Sequence, residues 1–221
     1  MRVNEVPASS GYGEPIAKFF KLDHSVKMIG AVTTDNRFIP EKIKPASFSR
    51  STSASASDPP GPYLLVVTKD GLTLRTPLAP FRVESNKLGR RYVRLNDGDK
   101  VVMTAVLLGE EETIFLASAD GHVIHFRIED INILSGVGKG VIGIKLADDD
   151  KCIGGALLSR KSQMLQVETS GGKTLEFTGR YDTVSRGGKG FEAVKRSTLT
   201  RVIPPPIELV NWDEVEGKPS E

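Results

Sequence analysis

The chain repeats one pattern of apolar and polar positions three times, at intervals of about fifty residues. Each copy starts with an apolar run and continues into a polar turn that ends in glycine, at Gly71, Gly121 and Gly172. A turn of this kind between apolar segments predicts a β-hairpin, because it needs a residue that tolerates positive φ. Repetition at this interval indicates stacked copies of one supersecondary unit.

The segment after each turn alternates between apolar and polar residues. In segments 72–76, 122–126 and 173–177, apolar residues recur at every second position, as at Ile124 and Phe126. Successive side chains of a strand point to opposite faces of a sheet. This period therefore predicts one buried face and one face in contact with water.

A second element follows each hairpin at a matching distance. Segments 89–95, 140–146 and 190–196 all begin with a glycine and are offset by 51 and 50 residues. Two further apolar segments, 100–108 and 151–158, complete the first two units as a fourth strand. Four strands in a unit of this length are typical of a propeller blade. The pattern therefore predicts an all-β, propeller-like domain built from four-stranded antiparallel sheets.

The N-terminal residues carry the same period, starting from the middle of a unit. Residues 2–6 match 127–131, and residues 27–29 match 100–102. We therefore expect the chain to open inside a blade, so that Met1 is not the natural start of the domain. Residues 1–203 then hold about four blade equivalents. Both a closed disc and an open arc agree with this count.

Two segments break the repeat. Residues 44–62 are rich in serine, alanine and proline, which predicts a disordered surface loop inserted between two strands. Residues 204–221 open with three prolines and carry one basic and five acidic side chains. In this tail, residues 207–212 are expected to cap the last blade by adding a strand. Residues 213–221 are expected, if anything, to compete with an anionic ligand.

Positive charge is concentrated in the blades, although the net charge of the chain is only +2. Residues 60–110 hold eight basic and five acidic side chains, and residues 161–203 hold eight and four. Such blades beside an acidic tail are consistent with polyanion binding, and equally with an ordinary soluble surface. No segment approaches the roughly 20 apolar residues of a membrane span, and no signal peptide is evident. We expect a soluble, cytoplasmic protein.

Motifs that suggest enzyme chemistry are better explained by the repeat. Residues 138–143 fit a dinucleotide-binding glycine pattern, but they lead into a strand pattern where that motif requires a helix. Residues 171–174 resemble the end of a phosphate-binding loop, yet they occupy a hairpin turn. Cys152 aligns with Val101, which predicts a buried core thiol. We expect no cofactor, no metal and no catalysis by this chain alone.

A glycine-rich loop with basic residues recurs in two units. It reads SRGGKG at residues 185–190 and SGVGKG at residues 135–140. Consecutive glycines let backbone N–H groups approach a phosphate, and lysine or arginine adds positive charge. The loops therefore predict phosphate contacts. The alternative is a flexible connection with incidental charge.

The repeat resembles one known family, the C-terminal domain of the A subunit of bacterial type IIA topoisomerases, DNA gyrase and topoisomerase IV. The resemblance covers nearly all of residues 1–203 and depends on the runs at 63–82, 118–131, 138–146 and 185–190. It implies a β-pinwheel, a propeller-like disc whose blades exchange strands with their neighbours. It also implies that duplex DNA bends around the basic rim of the disc.

Gyrase members of this family carry a seven-residue box, QRRGGKG, on the first blade. In this chain Arg186 to Gly190 agree with the box, whereas Val184 and Ser185 replace its first two residues, and the match lies in the last blade. This departure favours a topoisomerase IV-like subunit over gyrase-type chiral wrapping. Our leading hypothesis is that twelve residues contact duplex phosphates without sequence preference: Arg90, Arg91, Arg94, Lys139, Lys145, Arg186, Gly187, Gly188, Lys189, Gly190, Lys195 and Arg196.

The partners that the resemblance implies are double-stranded DNA, the catalytic core of the same polypeptide and the ATPase-bearing B-type subunit. The catalytic tyrosine and the ATPase of such enzymes belong to those other parts, so this chain is expected to be a DNA-handling, nucleoid-associated module, monomeric in isolation. Two other interpretations stay open. One is a propeller scaffold for protein–protein interaction, since fold does not imply function. The other is a free-standing regulator of a topoisomerase.

Overall fold

The computed structural model describes residues 15–18, 20, 22, 25–43, 59–83, 89–206 and 215. In these residues the fold is all-β, with three antiparallel sheets and short 3-10 turns at Ile16–Lys18, Ala79–Phe81 and Ile128–Asp130. The predicted fold class is thus confirmed. The strands are β1 (Tyr63–Thr68), β2 (Leu72–Pro77), β3 (Val101–Leu107), β4 (Thr113–Ser118), β5 (His122–Arg127), β6 (Val141–Ile142), β7 (Cys152–Leu158), β8 (Met164–Thr169), β9 (Thr174–Thr178), β10 (Phe191–Glu192) and β11 (Leu199–Ile203).

Two sheets share one plan, and we call them blade 1 (order β3-β1-β2-β6) and blade 2 (order β7-β4-β5-β10). A unit supplies its hairpin and the long strand that follows. The fourth strand comes from the next unit, so that Leu72 lies opposite Ile142 and Val123 opposite Phe191. Neighbouring units therefore exchange a strand, as the resemblance implies.

The blade to which this short strand belongs differs from the sequence-based expectation. The repeat predicts that segment 140–146 is a strand of its own unit, but only Val141–Ile142 is a strand and it joins blade 1. Segment 89–95 contains no strand. The physical reason is that segment 140–146 bends around the preceding turn: the amides of Gly143 and Ile144 both donate to the carbonyl oxygen of Gly71, at 2.8 and 3.3 Å.

The prediction that one face of the second hairpin strand contacts water is also wrong for blades 1 and 2. Arg75 in β2 and His125 in β5 are only 4% and 2% exposed. The following unit covers them, since the amide of Leu134 donates to the Arg75 carbonyl oxygen and the amide of Val184 to the His125 carbonyl oxygen, both at 2.8 Å. Both faces of these strands are therefore buried.

Two main apolar clusters lie between consecutive blades. Leu65, Leu116 and Phe126 are among the residues that join blade 1 to blade 2. Phe115 and Leu165 are among those that join blade 2 to blade 3, the sheet of order β11-β8-β9. Alternate side chains of β4 thus enter different clusters, which explains why a single apolar run fills the strand.

Cys152 lies in the first of these clusters, as predicted for a core thiol. Burial raises the pKa of this thiol to about 12. The thiol is therefore protonated at neutral pH and is a poor nucleophile.

The three hairpin turns are confirmed, with Gly71, Gly121 and Gly172 all at positive φ (78°, 95° and 76°). Residues 171–174 form the turn between β8 and β9 and its flanks. Most of the inserted segment 44–62, and all of the tail from residue 207 except residue 215, lie outside the described residues. The loop and the capping strand expected there therefore stay predictions. In the described part of the chain, no helix is long and apolar enough to cross a membrane.

Candidate nucleic-acid interface

The two glycine loops, residues 135–140 and 185–190, occupy equivalent positions in the fold. Both lead into the short strand that a unit donates to the preceding blade, β6 or β10. The carbonyl oxygen of Gly138 accepts a hydrogen bond from the Arg94 amide, and that of Gly188 accepts one from the Lys145 amide, each at 2.9 Å. The same backbone contact is therefore made at two successive junctions.

These contacts bring basic residues of consecutive units together. Arg94 lies beside Gly138 and Lys139, and Lys145 lies beside Gly188 and Lys189. The four basic side chains are exposed, and none makes a hydrogen bond or ion pair with another described residue. A pair of uncompensated positive charges therefore lies at each junction.

Each glycine loop also presents unpaired backbone donors. The N–H groups of Gly138 and Lys139 donate no hydrogen bond within the described chain, and the same is true of Gly188 and Lys189. Successive free N–H groups next to a fixed positive charge are the chemistry of a backbone anion site. The arrangement suits a phosphate oxygen and needs no metal.

The other glycines of the loops have structural roles. Gly140 and Gly190 have φ of 83° and 76°, and a Cβ at either position would collide with a backbone carbonyl of the preceding hairpin, Thr73 or Val123. The Gly187 amide is already used, because it donates to the Gly143 carbonyl oxygen at 2.9 Å. Sequence reasoning located the loop but did not separate these roles, because they depend on contacts with another unit.

Arg186 differs from the other predicted cations because its guanidinium group joins two blades. Its Nε donates to the Asp130 carbonyl oxygen and its Nη1 to the Ile142 carbonyl oxygen, both at 2.8 Å. Charged donors of this kind make the stronger hydrogen bonds in proteins. The side chain therefore fastens the second glycine loop to the connection and the short strand of the preceding unit.

Arg75, like Arg186, uses its guanidinium group to join neighbouring units. It is not among the functional residues that the sequence predicts. Its Nε donates to the Ile131 carbonyl oxygen at 2.7 Å, next to the carbonyl held by Arg186. In the repeat Arg75 aligns with His125, whose Nδ1 lies 2.9 Å from the Tyr181 carbonyl oxygen. A polar side chain in the middle of an apolar hairpin strand is the sequence signal for this contact.

The remaining predicted residues flank the loops. The Nη1 of Arg90 donates to the Pro80 carbonyl oxygen at 2.7 Å. Arg91, Lys195 and Arg196 are exposed, with no side-chain partner in the described residues. The glycine loops with Arg94 and Lys145 therefore form the interface that the geometry supports, and these flanking residues extend its positive charge.

The histidines and the acidic residues form no second chemical centre in the described part of the chain. That part contains no group of three or more His, Cys, Asp or Glu side chains placed to hold a metal ion. His24 lies outside it. Burial lowers the pKa of His125, while the Tyr181 and Asp182 backbone hydrogen bonds act in the opposite direction. His125 is therefore neutral at pH 7 and bridges two units.

Comparisons with known proteins agree with this architecture. Residues 62–104 and 112–159 match the family model described as DNA gyrase C-terminal domain, beta-propeller. The A subunit of DNA gyrase from Helicobacter pylori (strain J99) is 31% identical over 138 residues, which is 62% of this chain and 17% of that protein. The A subunit of DNA topoisomerase 4 from Bacillus subtilis (strain 168) is 25% identical over 131 residues, 59% of this chain and 16% of that protein.

Solved structures show the same fold. A crystal structure of the C-terminal domain of DNA topoisomerase IV superposes with a TM-score of 0.69 at 19% identity, covering 86% of this chain and 54% of that chain. A DNA gyrase A C-terminal domain gives a TM-score of 0.55 at 18% identity, covering 74% and 58%. The chain spans less than one fifth of the length of the curated relatives that it matches.

Proposed function

We propose that this chain binds duplex DNA without sequence preference. The premise is that it belongs to the family of C-terminal domains found in the A subunits of type IIA topoisomerases. The DNA would bend around the blades and be presented to the catalytic core of the same polypeptide. That core would act with an ATPase-bearing B-type subunit in the bacterial cytoplasm, at the nucleoid. This chain itself contributes binding, and no cofactor.

The observation that carries the proposal is the repeated anion site. Gly138–Lys139 and Gly188–Lys189 each combine two free backbone N–H groups with an exposed lysine and a basic neighbour from the unit before. Donors of this type contact phosphate oxygens, which fix the position of DNA but carry no sequence information. Their recurrence in successive units suits a ligand with a repeating negative charge.

Bending follows from the placement of the sites on successive units. Holding a duplex on two or more blades of a small domain costs several kcal/mol by elastic estimates. The phosphate contacts must offset that cost, so binding is expected to favour DNA that is flexible or already curved. A captured segment also has a raised effective concentration near the core.

A topoisomerase IV-like role is favoured over gyrase-type wrapping. Val184, just before the second glycine loop, and Ser185, its first residue, stand where the gyrase box has glutamine and arginine. Arg186 is engaged with Asp130 and Ile142 of the preceding unit. We assign Arg186 the task of holding the loop in place. Lys189, two free N–H groups and Lys145 are left for the phosphate.

The test is the salt dependence of binding to a random-sequence duplex. The double variant Lys139→Gln, Lys189→Gln is expected to reduce the slope of log K against log salt by about 1.8, at 0.9 for each phosphate that is no longer neutralised. Its matched control is Lys100→Gln, Lys151→Gln, which removes the same charge from exposed, equivalent positions near the hairpin turns. Equal slopes for the two variants would overturn the assignment.

In the same measurement, Arg186→Gln distinguishes a role in holding the second glycine loop from a direct contact with DNA. It is expected to lower the free energy of unfolding, because two carbonyl oxygens lose a charged donor, and to leave the salt slope close to that of the wild type. A slope reduced by about 0.9 would instead make Arg186 a direct phosphate ligand.

A topology assay distinguishes the modes of binding. The chain is bound to nicked circular DNA, the nick is sealed and the linking number is counted after the protein is removed. Binding without a change in linking number is expected. A change that grows with protein and disappears at high salt would indicate chiral wrapping, and no binding at low salt would favour the protein-scaffold alternative.

A further inference from the structure

Exposed apolar side chains gather around the two glycine loops. After residue 60 the structure describes seven large apolar side chains that are exposed, and four of them adjoin the loops. We call these four the apolar set: Leu95, Val137, Ile142 and Val184, each between 37% and 51% exposed. Single exposed apolar side chains are ordinary on a protein surface, whereas a group of them rimmed by polar residues marks an interaction site.

At the first junction, Leu95 and Val137 flank the anion site of Gly138 and Lys139. The Arg94 amide, one residue before Leu95, donates to the Gly138 carbonyl oxygen at 2.9 Å. Val137 directly precedes the two free N–H groups in the chain. Apolar side chains from two successive units therefore lie beside one group of phosphate donors.

Ile142 lies between the two glycine loops. It follows the end of the first loop by two residues, and its carbonyl oxygen accepts a hydrogen bond from Nη1 of Arg186 at 2.8 Å. A Cβ at Gly187 would lie 3.9 Å from Cβ and Cγ2 of Ile142, so this side chain lies against the second loop. Val184 directly precedes that loop, and its amide donates to the His125 carbonyl oxygen at 2.8 Å. An elongated ligand held at both anion sites therefore passes over exposed apolar surface.

Packing between the units does not explain the apolar choice at three of these four positions. In the third repeat, Leu95, Val137 and Ile142 are replaced by Arg196, Gly187 and Glu192. Glu192 pairs with β5 as Ile142 pairs with β2, so the fold accepts a charged side chain at this position. The apolar residues of the first and second repeats are therefore free to serve a ligand.

The charged groups around the apolar set select the kind of ligand. Each junction holds two free backbone N–H groups and two exposed cations, Arg94 with Lys139 and Lys145 with Lys189, and no described acidic side chain pairs with these cations. A matching ligand alternates negative charge with apolar carbon. The backbone of DNA has this composition, because a deoxyribose ring lies between successive phosphates, and proteins contact both parts.

We propose that the apolar set packs against the deoxyribose rings of the bound duplex, beside the phosphates that the glycine loops hold. This inference rests on the proposed function and adds a contribution to binding that does not depend on salt. Phosphate contacts release counterions and weaken as salt rises, whereas the burial of apolar surface persists at high salt. The apolar set also distinguishes the backbone of DNA from a chain of phosphates that has no sugar.

The first arm of the test measures binding to a random-sequence duplex over a range of salt concentrations. The variant Leu95→Asn, Val137→Thr, Ile142→Thr, Val184→Thr keeps the charge of the chain and the approximate size of each side chain. It is expected to bind about tenfold more weakly at every salt concentration, because each side chain loses roughly half a buried methylene group. The slope of log K against log salt is expected to stay that of the wild type.

The matched control is Val26→Thr, Ile29→Thr, Val32→Thr, Met164→Gln. It changes four exposed apolar side chains that lie outside the glycine loops and their neighbours, and it is expected to bind like the wild type. Thermal unfolding of both variants verifies that the fold is kept. Equal affinity of both variants and the wild type at every salt concentration overturns the proposal and leaves the apolar set for a protein partner.

The second arm replaces the duplex with long-chain inorganic polyphosphate, which repeats the phosphate without a sugar. The variant of the apolar set is expected to lose no affinity for this ligand. A loss as large as that for the duplex, or a reduced salt slope, also overturns the proposal, because it shows that the substitutions damage the anion sites themselves. Failure of the proposed function appears separately, as an absence of duplex binding by the wild type at low salt.

Discussion

Blades 2 and 3 start from equivalent hairpins and end in different surroundings. In blade 2, β5 is buried along four successive residues, because β10 pairs with its edge and the next unit's connection covers its outer face. In blade 3, only Phe177 of β9 is buried, and the other residues of this strand are partly or fully exposed. Its free edge has no partner strand among the described residues. A unit of this protein is therefore completed by its successor.

The outer face of blade 3 is polar, in contrast to that of blade 2. Gln166 donates to Glu176 at 2.8 Å, and Arg201 donates to Glu168 at 2.5 Å. The position equivalent to Gln166 in blade 2 is Phe115, which is fully buried. Blade 3 thus carries polar, partly or fully exposed side chains on the face that is apolar and buried in blade 2.

Substitutions at these two equivalent positions are expected to give the largest difference in stability between the two blades. Phe115→Ala should lower the free energy of unfolding by about 3 to 5 kcal/mol, because it opens a cavity in the cluster between blades 2 and 3. Gln166→Ala should change it by no more than about 0.5 kcal/mol. Urea unfolding measures both, and similar losses of stability would show that the two faces are equally buried in solution.

A smaller difference in stability is expected between Arg75, a buried side chain that holds the next unit, and its exposed equivalent in blade 3. Arg75→Gln should cost about 2 to 3 kcal/mol, since the carbonyl oxygens of Ile131 and Glu129 lose their donor in a buried place. Glu176 takes the same position in blade 3 and is exposed, so Glu176→Gln serves as the matched variant. If Arg75→Gln were as mild as its match, the guanidinium group would not hold the junction.

Two glycines with the same φ test the close approach of neighbouring units. Gly190 and Gly172 both have φ of 76°, but a Cβ would meet the Val123 carbonyl at Gly190 and open space at Gly172. Both alanine variants share the strain of positive φ. Gly190→Ala should therefore cost roughly 1 to 2 kcal/mol more, the penalty of overpacking. Equal unfolding midpoints would show that β10 does not approach β5 so closely.

The smallest effect is a pH dependence that His125 gives to the junction of blades 2 and 3. Burial lowers its pKa in the folded state, so the unfolded state binds the proton first as pH falls through the usual histidine range. Stability is then greater above about pH 6.5 and decreases below it. His125→Gln should flatten this part of the curve. A curve unaffected by His125→Gln would contradict the burial.

The sequence predicted the hairpins, their turns and the buried Cys152, because all of these follow from local pattern and from alignment of one unit with the next. It did not predict which blade receives residues 140–146, since pairing between units is a tertiary choice that periodicity does not encode. The burial of both faces of the hairpin strands could be predicted in part from the sequence. The runs YLLVVT and TIFLAS lack the polar positions of MLQVET, which marks strands buried on both sides.

The candidate sites divide in the same way. Recurrence of glycine and lysine at residues 138–140 and 188–190 located the anion loops from the sequence. The engagement of Arg186 with Asp130 and Ile142 depends on a neighbouring unit, and no spacing along the chain reveals it.

During synthesis on the ribosome, the donated strand is made long after the hairpin that it completes. Ile142 lies opposite Leu72 and is made 70 residues later, a separation read from their pairing. At about 5 to 20 residues per second, roughly 4 to 14 s of synthesis pass before β2 receives its last partner. For that interval each new hairpin offers an unprotected edge to nascent chains on the same message. Slow codons within a unit would lengthen this exposure, and slow codons after its donated strand would not.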